Sequence, residues 1–184
     1  MDQNVKIGIS TCLLGEKVRY DGGHKHDPFL TETLGKFITY VPVCPETECG
    51  LGVPRESMSL YGSIDSPRLI THKTGIDFTE RMKKWCDAKL NDLENENLCG
   101  FIFKKDSPSS GLFRVKVFNE KRQPVKNGIG IFAKAFTERF PYLPVEEEGR
   151  LYDPVLRENF IKRIFIFKRW RELTQKKRQK QRYH

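Results

Sequence analysis

Two cysteines, a glutamate and a group of serines are the residues of this chain best suited to chemistry. Cys12 follows the apolar run Val5 to Ser10, and Cys44 follows Phe37 to Val43. A third run, Cys99-Gly100-Phe101-Ile102-Phe103, leads through Lys104-Lys105-Asp106 into Ser107-Pro108-Ser109-Ser110-Gly111. Thiols placed this way can ligate a metal, act as nucleophiles or simply pack. Glu46, two residues past Cys44, can act as a general base for water, or can cap the turn that follows it. Ser107 can donate to a departing or newly formed polar atom, or can be an ordinary turn hydroxyl.

Each of the three apolar runs reads as a buried strand. Each ends in a turn, the third one marked by a proline that cannot donate to a ladder and a glycine that tolerates positive φ. In open parallel α/β sheets, ligands sit beyond the carboxyl ends of the strands, so the three turns are expected to meet in one site. The polar, glycine-rich stretch Arg19 to Pro28, with Tyr20, Asp21, His24 and His26, follows the first of them as a loop that either contacts substrate or is simply solvated. Residues 29–37 carry apolar side chains at helical spacing. Residues 45–75 lack a long periodic segment and are expected to wrap the site, with a hairpin from 58–61 to 68–71. Asp77 or Thr79 can cap a helix running to about Asn95, in which Cys86 is a core or surface residue. Residues 113–118 alternate like a strand, and the glycine-rich stretch 128–130 opens a helix that ends near Phe140, an entrance that can cradle an anion. Leu143-Pro144-Val145 leads into a last short strand, Glu146 to Arg150 cap the face, and a final helix from about Asp153 completes the reading. The alternation predicts an α/β fold: a Rossmann-like, mostly parallel sheet with helices on both faces, plus a C-terminal basic helix.

With 184 residues, 38% of them hydrophobic and 13 of them Phe, the chain can build one real core. No run of 18 apolar residues is present and the first strand starts at once, so neither a membrane span nor a signal peptide is expected. Five cysteines at irregular spacing point to a reducing cytoplasm and to thiols used as such. Of the net charge of +9, residues 168–184 carry +7, with eight Lys/Arg against Glu172, and the remainder only +2. The basic balance is therefore a tail property. Clustered Lys/Arg binds phosphate in a salt-dependent way, which suits tRNA, unless the tail is only a solvated helix end.

The motifs Ser10 to Gly15, Arg19 to His24, Val43 to Glu46, Gly50 to Glu56 and Phe101 to Gly111, taken together and in order, resemble the thiouracil desulfidase (TudS) family over residues 5–150. The resemblance implies a domain over 1–150, with 151–184 as a helix and basic tail in the place where longer relatives, the tRNA thiouridine desulfidases, continue into a second domain. It also implies a 4Fe-4S cluster held by three cysteines, with one iron left to take sulfur from a thiolated nucleobase or nucleoside. Water then supplies oxygen without net redox change. On this reading Cys12 and Cys44 are cluster ligands, Glu46 and Ser107 move protons, and Arg19, Tyr20, Asp21 and His24 contact substrate. The third ligand falls at Ser110, where the family has cysteine. An engineered change, a natural variant with an altered cluster, or a cluster-free relative would each account for that serine. Cys49 is the nearest thiol that could swing in.

Two other readings start from the same residues. A chain whose site has decayed at Ser110 would be a non-catalytic RNA-binding module. Alternatively, Cys12 and Cys44 with His24 or His26 would form a zinc site, at a spacing unlike the usual zinc patterns. The stripe Phe160, Ile161, Ile164, Phe165, Phe167 and Trp170 on the last helix needs a partner surface, either the sheet or a second copy in an oligomer.

Overall fold

The computed structural model describes residues 5–182. Four strands, β1 (Lys6–Ser10), β2 (Thr39–Val43), β5 (Phe101–Phe103) and β8 (Val145–Glu147), form one parallel sheet in the order β2-β1-β5-β8. Between β2 and β5 come α1 (Pro45–Glu48), the hairpin β3 (Met58–Gly62) and β4 (Pro67–Thr71), and α2 (Thr79–Glu94). Between β5 and β8 come β6 (Val115–Phe118), β7 (Pro124–Gly128) and α3 (Ile131–Arg139), and α4 (Pro154–Arg182) ends the chain. The hairpin and the pair β6–β7 join in a second sheet, β4-β3-β6-β7.

Alternation along β5 sends Phe101 and Phe103 into one core and Ile102 into the other, as expected of a strand buried on both faces, while β1 sends Ile7 and Ile9 into the second core alone. One core stacks Phe101, Phe103, Phe132 and Phe136 against α2, α3 and the second sheet. The other gathers Ile7, Ile9, Leu13, Leu30 and Ile102 under Phe160 and Ile164 of α4. Helices thus cover both faces, and the predicted fold class is the one observed. Gly8 pairs with Phe101, and a Cβ at Gly8 would drive into that ring.

The register sets the site. Ser10 lies opposite Val43 and Ile9 opposite Ile102, while Phe103 pairs with Glu147, so four strands stop at one level.

Several elements differ from the sequence reading. Residues 29–37 form a π turn over Phe29–Thr33 followed by a 3-10 turn over Leu34–Lys36, not one α-helix. The Tyr40 hydroxyl donates to the Leu30 carbonyl at 2.7 Å, an acceptor it shares with the Leu34 N–H. Phe37, placed on the apolar face by spacing, is 70% exposed. Strand β7 had no period-2 signature, because four of its five residues are exposed. Of the two residues expected to cap α2, Asp77 Oδ1 accepts from Thr79 N at 2.9 Å, whereas the Thr79 hydroxyl accepts from Leu69 N at 2.7 Å and ties the helix to β4.

Candidate active site

A cavity of about 710 Å³ lies at the common carboxyl edge of β1, β2 and β5, lined among others by Cys12, Cys44, Glu46, Ser107 and Ser110. Cys12 sits in a 3-10 turn that closes on Gly15 in the left-handed region, at φ 91°. Cys44 immediately precedes α1, and its backbone N–H is held by the Glu48 carboxylate at 2.7 Å. Lys104 N donates to Ser10 Oγ at 2.9 Å, locking the start of the serine loop to the end of β1. Burial pushes the Cys12 thiol up to about 11, against the pull of the nearby Lys104 and Arg19, while Cys44 and Glu148 add to the rise. A buried thiol flanked by two cations is a poor free nucleophile and a good ligand for a metal that displaces its proton.

The polar residues form a chain that sequence spacing did not reveal. Arg55 donates to Glu46 Oε2 through Nε at 2.8 Å and Nη2 at 2.6 Å, and both side chains are largely buried. Ser109 Oγ donates to Glu46 Oε1 at 3.0 Å, and Ser107 Oγ lies 3.1 Å from Ser109 Oγ. Ser107 Oγ also accepts from Ser109 N and Ser110 N, at 3.3 and 3.0 Å. With the Ser109 proton pointed at the carboxylate, the Ser107 proton points at Ser109. The result is a directional wire, Ser107 to Ser109 to Glu46, anchored by Arg55. Arg55 lies in the Gly50 to Glu56 motif but carried no site role by spacing, because the bond that matters spans nine residues of irregular chain.

The serine loop is held from behind. Gly130, Ile131 and Phe132 at the start of α3 donate their N–H groups to the carbonyls of Gly111, Pro108 and Ser109, at 2.7, 3.2 and 2.8 Å. The helix entrance read as an anion cradle thus grips the chain's own loop, and its donors are spent there. Glu147 Oε1 accepts from Leu112 N and Phe113 N at 2.8 and 2.9 Å, and Glu148 Oε2 accepts from Lys105 N at 2.7 Å. Glu147 thus fixes the far end of the loop and Glu148 its start.

Of the residues expected to touch substrate, Arg19 and Tyr20 line the cavity together with Lys25 and Lys105, whereas Asp21 and His24 do not. Asp21 accepts from Gly23 N at 2.9 Å and lies 3.8 Å from Arg19, and His24 accepts from His26 N at 3.1 Å, so both serve their own turn. Among the described residues no three His, Cys, Asp or Glu are grouped as metal ligands, which leaves the zinc reading without a ligand set. Cys49 is buried in the core beside Met58 and Cys86, with Sγ 3.4 Å from the Glu46 carbonyl, and does not line the cavity.

Thiols, a buried carboxylate–arginine pair and a hydroxyl wire at the carboxyl edge of a parallel sheet define an α/β protein with a strand-end reaction chamber. The sequence model of the 2-thiouracil desulfurase family matches residues 7–148. The chain belongs to that family. Among solved structures it is similar to the 4Fe-4S-dependent thiouracil desulfidase TudS, with 26% identity and a TM-score of 0.65, over 85% of this chain and 99% of that one. No curated protein matches the chain significantly.

Proposed function

We propose that this protein is a desulfidase that converts a thiolated pyrimidine to its oxo form with release of sulfide, using a 4Fe-4S cluster seated in the cavity at Cys12 and Cys44. The observation that carries this reading is the convergence of both thiols and the Glu46–Ser109–Ser107 wire on one chamber. The chamber's volume, the depth of Cys12 and the cations Lys104 and Arg19 suit a thiolate-bound anionic group.

The reaction is hydrolytic: C=S and water give C=O and hydrogen sulfide, and no electron is exchanged. When bound, the cluster supplies a Lewis-acidic iron that attracts sulfur. The chain's own residues handle water and protons. Glu46 Oε1 accepts a proton from the incoming water through Ser107 and Ser109, since Oε2 is committed to Arg55, and the water takes the place of the long 3.3 Å contact from Ser109 N on Ser107 Oγ. The Ser110 N–H on Ser107 Oγ, at 3.0 Å, stabilises developing negative charge there as the proton moves. Arg19 and Tyr20, at the cavity wall, orient the pyrimidine ring.

The substrate on this reading is a thiouracil or thiouridine, and tRNA enters through the basic tail. Arg171 ties α4 to the Asn97 and Leu98 carbonyls, ahead of β5 and opposite the catalytic edge. Residues 175–181 beyond it are all exposed. Leu98 and Lys104 are six residue steps apart along β5 and its lead-in, roughly 20 Å at about 3.3 Å per step. The tail therefore suits an RNA long enough to reach both places, and contributes nothing to a free base. The test is sulfide release from thiouracil and thiouridine by anaerobically reconstituted protein. One sulfide per uracil or uridine formed is expected, and iron-loaded protein without turnover would overturn the reading.

A further inference from the structure

We propose that the Ser110 hydroxyl, as an alkoxide, is the third protein ligand of the cluster, so that this chain holds it through two sulfurs and one oxygen. The inference rests on the functional reading above and concerns a residue where this chain departs from the cysteine its family resemblance implies.

Ser110 is only 4% exposed and lines the same cavity as Cys12 and Cys44. The hydroxyls of Ser107 and Ser109 are both engaged in the wire to Glu46. Ser110 bonds only through its backbone N–H, to Ser107 Oγ at 3.0 Å, and its own Oγ meets no hydrogen-bonding partner among the described residues. Yet none of the described side-chain oxygens or nitrogens is sealed from its surroundings without a partner. The Ser110 oxygen therefore opens onto the cavity that the residue lines. A hydroxyl left free in a cavity that two thiols also line, in a loop where neighbouring hydroxyls are satisfied, is a donor waiting for a ligand.

Its position is also preset. A Cβ on Gly130 would lie 2.5 Å from the Ser109 carbonyl carbon and 2.7 Å from Ser110 N, so only glycine lets α3 press this close behind the loop. The Gly111, Pro108 and Ser109 carbonyls are held by α3, as described above. Little conformational freedom remains to be lost when Oγ binds iron. No other thiol competes for the place. Cys49 bonds the Glu46 carbonyl, Cys86 is buried in α2 and Cys99 is buried beside Asn97 at the opposite end of β5.

Ligation forms an Fe–O bond and releases the hydroxyl proton to solvent, with no change of oxidation state. An alkoxide carries the same charge as the thiolate it replaces but is a harder donor, which favours ferric over ferrous iron. Bound this way, the cluster would have a lower reduction potential than with three thiolates.

The test compares the unaltered protein, Ser110→Ala and Ser110→Cys after anaerobic reconstitution with 57Fe. Iron and acid-labile sulfide retained through gel filtration are counted, Mössbauer spectra are recorded and reduction potentials measured. Because the hydroxyl bonds nothing, Ser110→Ala should fold normally, which circular dichroism checks. The unaltered protein is expected to retain about four irons per chain with one iron site distinct from the sulfur-ligated ones. Ser110→Ala should lose iron at least about tenfold faster, and Ser110→Cys should hold it with a more positive potential. Equal retention by the unaltered protein and Ser110→Ala would overturn the ligand assignment and leave the desulfidase reading standing. Loading of Ser110→Cys alone would also overturn it, marking Ser110 as disabling. Failure of all three to bind iron would overturn both.

Discussion

At the scale of single residues, the Arg55–Glu46 pair divides binding from chemistry. Removing one partner of a buried ion pair strands the other charge, so Arg55→Ala should lower stability by about 3 kcal/mol in urea unfolding. Arg55→Lys, which cannot present Nε and Nη2 together, should recover part of the stability but less of the activity. Glu46→Gln removes a proton acceptor without touching a thiol. It should lower the desulfuration rate by about 100-fold while iron content stays unchanged. If iron falls along with rate, Glu46 is structural and not a base. Glu147 offers a pH test. Burial raises its carboxyl above the ordinary value, against the N–H groups of Phe113 and Leu112, with Glu148 and Asp106 adding to the rise. A raised carboxyl means the folded chain holds that proton more tightly than the unfolded one. Its stabilising contribution is thus present at low pH and lost as pH rises through the folded value. Glu147→Gln keeps an oxygen for the two N–H groups and removes the ionisation. Its stability relative to the unaltered chain should therefore improve as pH climbs from about 4 to 7, read by denaturant titration across that range.

At the scale of elements, α3 and the serine loop act as one unit. The helix spends its N-terminal donors on the loop's carbonyls, and Gly130 makes the contact possible. Gly130→Ala meets backbone atoms of Ser109 and Ser110, which cannot swing aside as a side-chain tip would. A cost of about 1–3 kcal/mol is expected, together with weaker iron retention, because the loop shifts relative to Cys12 and Cys44. Unchanged retention in a destabilised Gly130→Ala protein would show that the loop's position does not govern the cluster. The same unit shows a limit of motif reading: a glycine-rich helix entrance signals a close approach, but not whether an anion or the chain's own carbonyls approach.

At the scale of the whole molecule, α4 runs back across the sheet from the catalytic edge to the opposite one. Phe160 and Ile164 fill the core, whereas Ile166, Trp170 and Leu173 remain more than half exposed. Of the stripe expected to need a partner surface, Phe160, Ile161, Ile164 and Phe167 pack on the two cores, while Phe165 and Trp170 stay exposed. Among the described residues no helix is long and apolar enough to cross a membrane. Truncation after Leu173 removes the exposed basic end and spares Arg171. Desulfuration of thiouracil should be unchanged, while tRNA binding, measured at rising salt, should fall and lose most of its salt dependence. Salt-independent tRNA binding by the full chain would remove the tail from the interaction.

The sequence by itself determined the strand ends. Apolar runs of five to seven residues followed by Cys12, by Cys44 and by the Ser107–Gly111 turn are local patterns, and periodicity is a local property that needs no tertiary information. It therefore determined the α/β class and placed the thiols and serines at one edge once the sheet was taken as parallel. Only the tertiary structure decided which polar groups pair. Arg55 with Glu46, Ser109 with Glu46, and Glu147 with Leu112 and Phe113 are bonds between distant parts of the chain, set by how irregular segments close over the sheet. It also decided that Asp21 and His24 serve their own turn, and that the basic tail leaves from the far edge. Those outcomes depend on register and helix direction, because a side chain's reach is fixed by where its backbone sits and not by its type.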